Sequence, residues 1–333
     1  MSQASKNRLK ASEYVDGLLS RDRSILSKAI TLVESKLEKD QKLADEVINR
    51  TIAYSGKSIR IGITGSPGVG KSTFIEHFGL LLVEKGKRVA VLTIDPSSVT
   101  SKGSILGDKT RMENLTKKEE VFIRPSPSSQ TLGGVGAKTR ESILLCEAAG
   151  YDVVLVETVG VGQSEIMVTE MVDFFLLLVL PNSGDELQGV KRGVMEMADA
   201  IIVTKADRNQ LSEAIISKKE LDHTVKLMKN PNKPWSTEVM LVSAIEQKGL
   251  SDVWDVIQRY ENQMKAQGFF DSNREEQRVS WFYAHIQQAL EARFYHDKEV
   301  KERLEEQMEE VKKGNSSPLV VARNLVESFL KKQ

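Results

Sequence analysis

The sequence predicts an α/β fold: a mostly parallel central sheet flanked by helices, with helical regions at both ends of the chain. Three observations carry this. Short apolar runs rich in β-branched residues recur through the middle of the chain, as "SIRIGIT", "RVAVLTID", "EVFIRP", "DVVLVET", "FFLLLVL", "AIIVTK" and "EVMLVSA". Each is followed by a polar, Gly-rich turn and then a helical pattern, which implies parallel pairing through crossover helices. The runs are nearly continuous rather than alternating, as expected of a sheet covered on both faces. In such sheets ligands sit beyond the C-terminal ends of the strands, where the conspicuous polar residues of this chain fall.

Residues 1–55 read as a helical extension. In "SILSKAITLVESKL", Ile25, Leu26, Ala29, Ile30 and Val33 recur at three- and four-residue spacings. Residues 56–261 hold the strands. Residues 262–333 return to helix, with Val279, Phe282, Ile286 and Leu290 on one face and dense charge opposite. Ser317 and Pro318 open a last helix as N-cap and first helical residue. This amphipathic end either docks on its own domain or serves as a dimerisation arm.

Within the central region, "GSPGVGKS" at Gly65–Ser72 fits G-x-x-x-x-G-K-[ST], the P-loop pattern, between a strand and a helix that continues through Thr73. The pattern alone arises by chance in about one chain in a hundred of this length. Gly65, Ser66, Pro67, Gly68, Val69 and Gly70 would turn backbone N–H groups inward around a pyrophosphate. Lys71 would neutralise the outer phosphates, Ser72 would ligate Mg²⁺, and the helix N-terminus adds its positive end.

Two further strand ends supply carboxylates. "DVVLVETVGVGQSE" ends a strand at Glu157, where P-loop enzymes usually hold Mg²⁺ with an Asp, and the Gly160 N–H would meet a γ-phosphate. In "VLTIDPSSVTSKGSILGDKTRM", Asp95 ends a strand and Asp108 lies in a loop rich in Ser, Gly and Lys. This pair suits a segment that orders around Mg²⁺ and an attacking water. The plainer reading of Asp95 is a turn before Pro96.

"IIVTKADRN" at Ile201–Asn209 raises the question of base choice. Its Thr204-Lys205-Ala206-Asp207 would turn up by chance in roughly one chain in ten, so only its context gives it weight. A carboxylate at Asp207 accepts both N1–H and N2–H₂ of guanine. Adenine offers neither donor and would leave that carboxylate unpaired. The Lys205 stem can lie over the base. Ser243, Ala244 and Ile245, at another strand end, bring backbone N–H groups for guanine O6. Thr204 stands where GTPases usually carry Asn. One hydroxyl can tie this loop to the P-loop, so the expectation is weaker nucleotide affinity with unchanged base choice.

Bulk properties narrow the class further. Among 333 residues, 47 Lys+Arg balance 47 Asp+Glu, so no excess positive charge favours nucleic acid. The single cysteine, Cys146, excludes an intrachain disulfide or cysteine-rich zinc site and reads as a small buried apolar residue. The longest apolar run, Phe174–Leu180, is too short for a membrane-spanning helix, and the N-terminus lacks a signal-peptide core. A cytoplasmic protein with no membrane association is the expectation.

Taken together, "GITGSPGVGKST", "TIDPSS", "GDKTRM", "RPSPSSQTLGGVG", "VETVGVGQSE" and "TKAD" resemble the MeaB/ArgK family of methylmalonyl-CoA mutase-associated GTPases, formerly described as LAO/AO transport-system kinases. The likeness extends to "GLLSRDRSILSKAITLVES" and "SSPLVVARNLVESFL" near the two ends. It implies a homodimeric G-protein chaperone of the SIMIBI class, in which a C-terminal arm dimerises and GTP hydrolysis to GDP gates adenosylcobalamin loading and protection of the mutase. No tightly held cobalamin is implied on this chain. By the same resemblance, Ser72, Asp95, Asp108 and Glu157 surround Mg²⁺ and the attacking water, with none singled out as the base. Lys191, in "PNSGDELQGVK", matches a further switch that contacts nucleotide when the mutase is bound. Two alternatives are a kinase or ATPase acting on a periplasmic amino-acid (lysine/arginine/ornithine) transport system, and a nickel-delivery GTPase. His77, His223, His285 and His296 are dispersed, which disfavours the latter.

Overall fold

A computed structural model describes residues 8–94, 112–126, 132–158, 164–181, 192–207, 209–228 and 233–331. Asp95, Asp108, Gly160 and Lys191 lie outside the described residues. The chain divides into two compact units, one reaching to Gln277 and the other starting at Arg278.

The first unit opens with α1 (Ala11–Leu19), α2 (Arg23–Val33) and α3 (Glu38–Thr51). Asp22 caps α2, accepting from Ser24 N at 2.7 Å and Ile25 N at 3.1 Å. Leu26, Ala29, Ile30 and Val33 are buried, with Leu32 beside them, and Ile25 is half-buried, so the expected face of α2 turns inward. There follow β1 (Ile59–Gly65), α4 (Lys71–Glu84), β2 (Val89–Ile94), α5 (Glu113–Thr116), β3 (Val121–Ser126), α6 (Leu132–Ala148) and β4 (Val153–Thr158). Next come α7 (Ser164–Thr169), β5 (Phe174–Val179), α8 (Arg192–Met197), β6 (Ala200–Val203), α9 (Leu211–Leu227), β7 (Glu238–Leu241) and α10 (Leu250–Ala266).

All seven apolar runs become strands, and they join in one sheet in the order β3-β2-β4-β1-β5-β6-β7. Every pairing is parallel. Pro125, which cannot donate to a ladder, lies on edge strand β3. One face of the sheet packs Ile61, Ile63, Val91, Leu155, Leu176 and Ile202 against Phe74 and Phe78 of α4 and Trp254 and Ile257 of α10. Burial of that kind yields roughly 25 cal/mol per Å² of apolar surface. Cys146 is buried on α6, and burial pushes its thiol well above the ordinary range.

The N-terminal ends of the strands, opposite the expected ligand edge, are closed by a buried ionic network. Arg60 makes two bonds to the Glu147 carboxylate, at 2.8 and 2.9 Å, while Ser58 Oγ and Gly56 N donate to the same group. Arg274, on the first turns of α11 (Phe269–His296), donates to both oxygens of Asp173 and to the carbonyls of Gly56 and Ser58. Gln277 donates to Val172 O at 2.8 Å.

Burial pushes the Glu147 carboxyl up, but Arg60, Ser58 and Arg274 outweigh it, leaving it below the usual range. Its folded value thus lies below the unfolded one, near 4.5. The stabilisation is present above that pH and is lost as pH falls through the folded value. Glu147→Gln is expected to cost about 3–5 kcal/mol at pH 7 by removing one side of a buried ion pair. The loss of wild-type stability on acidification should be smaller in the variant, and urea midpoints at pH 7 and pH 4 would show both effects.

The second unit comprises the rest of α11 with α12 (Lys298–Lys312) and α13 (Pro318–Leu330). Asp297 caps α12 through Val300 N at 3.0 Å. Ser317 and Pro318 take the N-cap and first helical positions of α13, but the Ser317 side chain makes no capping bond. Phe294 meets Phe329 edge to face at 5.3 Å. Val279, Phe282, Ile286 and Leu290 share a face as their spacing predicts, yet all are 41–62 % exposed. No helix among the described residues is long and apolar enough to cross a membrane.

Candidate functional site at the C-terminal edge of the sheet

Gly65–Gly70 form the turn from β1 into α4. A Cβ on Gly65 would lie 2.5 Å from Leu178 O, so only glycine lets the turn leave the sheet against β5. Gly70 has φ 98° and sits at the N-cap of α4 without a side-chain cap bond. The first N–H groups of α4 are therefore left to whatever the turn encloses, and its positive end suits an anion. Lys71 reaches back over the turn, with Nζ 2.8 Å from Gly65 O and 3.2 Å from Ser66 O.

The next residue, Ser72, begins the row of candidate metal ligands. Its Oγ lies 3.5 Å from Glu157 Oε1, and Glu157 is buried at the end of β4. A hydroxyl and a carboxylate are hard oxygen donors, and their meeting beside the phosphate turn fits Mg²⁺. Asp95 and Asp108 fall outside the described residues, so only Ser72 and Glu157 of this set are seen together. On the opposite sheet face, Thr158 Oγ1 donates to Thr64 Oγ1 at 2.8 Å, both fully buried. That bond joins the root of the segment after β4 to the root of the phosphate turn.

Beyond β6, the Thr204 hydroxyl lies 2.8 Å from Val69 O and 3.1 Å from Val179 O. Its one proton is shared between the phosphate turn and the end of β5. Thr204→Val is expected to weaken GDP binding about five- to tenfold through loss of roughly 1 kcal/mol, with Thr204→Asn recovering it. Titration with a fluorescent GDP would show this, and equal affinities would remove the hydroxyl from the argument.

The Asp207 carboxylate accepts a hydrogen bond from Ser243 Oγ, which itself accepts from Glu246 N at 3.1 Å. Lys205 holds a left-handed φ of 54° that turns the loop. Thr204, Lys205, Asp207, Ala244 and Ile245 line one cavity of about 120 Å³, with Val69, Gly70 and Thr73 closing its phosphate side. Two roles were missed in the sequence: the side chain of Ser243, read only for its backbone, and the Thr64–Thr158 bond. A serine after a strand carries no local signal of what its hydroxyl holds.

A parallel sheet with a glycine turn, a lysine and a serine at the start of its first crossover helix, and a carboxylate in an adjoining cavity, defines a P-loop nucleotide-binding protein. Comparison with known proteins identifies which kind. The family model for methylmalonyl-CoA mutase-associated GTPase MeaB matches residues 26–299, and the chain belongs to that family of GTPases. It is 44 % identical to a probable GTPase of Mycobacterium tuberculosis over 95 % of each chain. It is 42 % identical to the mitochondrial methylmalonic aciduria type A homolog of Mus musculus, over 96 % of this chain and 80 % of that one. Among solved structures, an LAO/AO transport system kinase covers 99 % of both chains at 33 % identity and TM-score 0.74.

Proposed function

We propose that this GTPase binds an adenosylcobalamin-dependent mutase, methylmalonyl-CoA mutase or a related acyl-CoA mutase, and couples GTP hydrolysis to loading and protection of that enzyme's cofactor. The observation that carries the reading is the joining of the Lys71–Ser72 phosphate turn to the Asp207 cavity through Thr204, in a chain of the mutase-associated family. Gly65–Thr73 bind and orient the phosphates. Asp207, held by Ser243, accepts from the guanine edge, while Lys205, Ala244 and Ile245 close the cavity around the base.

Ser72 and Glu157 would hold Mg²⁺, with Asp95 and Asp108 proposed as the further carboxylates. When bound there, the ion neutralises charge on the β- and γ-phosphates. Glu157, Asp95 and Asp108 orient the attacking water, the Gly160 N–H meets the γ-phosphate, and Lys191 joins when the partner docks. Loss of the γ-phosphate releases these segments, and the partner senses that shift. The exposed apolar row at Val279, Phe282, Ile286 and Leu290 supports a homodimer formed through residues 262–333, with residues 56–261 as the G domain and 1–55 as its helical extension.

The decisive experiment mixes the purified chain with the mutase and a non-hydrolysable GTP analogue, then repeats the mixture with the ATP analogue. Co-elution with the GTP analogue and mutase-stimulated release of phosphate from GTP are expected. A hydrolysis rate indifferent to the mutase would overturn the partner, and equal use of ATP would overturn the base assignment.

A further inference from the structure

Thr93, the penultimate residue of β2, is 1 % exposed, and its hydroxyl has no hydrogen-bond partner among the described residues. A buried hydroxyl left in this way loses its water and gains nothing, whereas valine would fill the same space without that cost. The register shows where the hydroxyl sits. Reading across the sheet, Pro125, Thr93, Glu157, Ile63 and Leu176 form one row of aligned positions. Aligned residues on parallel strands share a face, so these side chains project together onto the side covered by α4. Among these five, Thr93 and Glu157 are the polar ones, and they are direct neighbours across β2 and β4. Their strands run roughly 4.8 Å apart, a gap that a hydroxyl and a glutamate side chain can close.

We propose that Thr93 is a positioning residue for Glu157: its hydroxyl donates to the carboxylate, directly or through one water, and holds it toward the metal at Ser72. This rests on the reading of Ser72 and Glu157 as magnesium ligands. Glutamate has one more rotatable bond than the aspartate more usual at this position. A lateral donor removes that freedom and leaves the outer oxygen lone pairs for the metal and its waters. The phosphate turn and the base cavity lie outside this contact, so Thr93 affects metal-dependent binding alone.

The test is the Mg²⁺ dependence of fluorescent-GDP affinity in the full-length wild type, Thr93→Val and Thr93→Ser, with Mg²⁺-free affinity and melting temperature measured alongside. Thr93→Val is expected to raise the half-saturating Mg²⁺ concentration roughly tenfold, with Mg²⁺-free GDP affinity and melting temperature held or improved. Thr93→Ser restores the wild-type value. In a Glu157→Gln background, Thr93→Val adds no further shift. A wild type that responds to Mg²⁺ beside an equally responsive Thr93→Val overturns the proposal alone, as does an equal loss of Mg²⁺-free affinity. A wild type indifferent to Mg²⁺ overturns the metal site and this proposal with it.

Discussion

Asp207→Asn is expected to move the base preference of this GTPase from guanine to xanthine. In the proposed site the carboxylate would supply two acceptors, one for N1–H and one for the 2-amino group. The asparagine amide keeps one acceptor and turns the other position into a donor, which meets the guanine amino group donor to donor. Loss of two charge-assisted bonds costs about 4 kcal/mol, or roughly a thousandfold in GTP affinity. Xanthine carries N1–H and a carbonyl oxygen at C2, the pattern that the amide matches. The Ser243 hydroxyl that donates to Asp207 can donate equally to the amide oxygen, so the loop geometry is retained. Competition between GTP and xanthosine triphosphate for the variant would show the exchange. A variant that still prefers GTP would remove Asp207 from base reading.

Lys71→Ala carries the other large effect. Nζ lies within hydrogen-bond reach of two carbonyls of the phosphate turn, on a residue only 9 % exposed. In the proposed site, truncation would remove the fixed positive charge held over the phosphate turn, a term that counts for much in phosphoryl transfer. GTP hydrolysis is expected to fall at least a thousandfold and GTP affinity about a hundredfold. The ligand-free melting temperature should stay within about 3 °C of wild type, because the P-loop backbone is set by Gly65 and Gly70. The rise in melting temperature that GTP confers should disappear with the affinity. Retained turnover in Lys71→Ala would place the chemistry elsewhere.

The strands and the phosphate turn were legible because each signal is local. A buried parallel strand must be apolar along its whole length, so "DVVLVET" and "FFLLLVL" announce themselves. Gly65–Ser72 is likewise a contiguous pattern whose glycines and lysine act within one turn. Sheet order is different, since it depends on which crossover each helix makes, and nothing in "RVAVLTID" reveals that β2 lies between β3 and β4. Asp173 and Arg274 are 101 positions apart, and no spacing rule joins them. The periodicity of Val279, Phe282, Ile286 and Leu290 identified a face correctly but could not reveal whether anything covers it, because covered and bare apolar faces share one spacing. Asp95, Asp108, Gly160 and Lys191 remain readings of the sequence, outside the described residues.

The grip of Arg274 and Gln277 on the foot of the sheet governs how the polypeptide could be divided. Severed after Glu261, where the strand-bearing sequence ends, the shorter piece would keep Asp173 but forfeit both guanidinium bonds to it, along with the amide cap on Val172. Severed after Gln277, it would retain every one of them. The opening turns of α11 are thus masonry of the sheet-bearing unit, and any shuffling of this module between genes would have to carry those turns along.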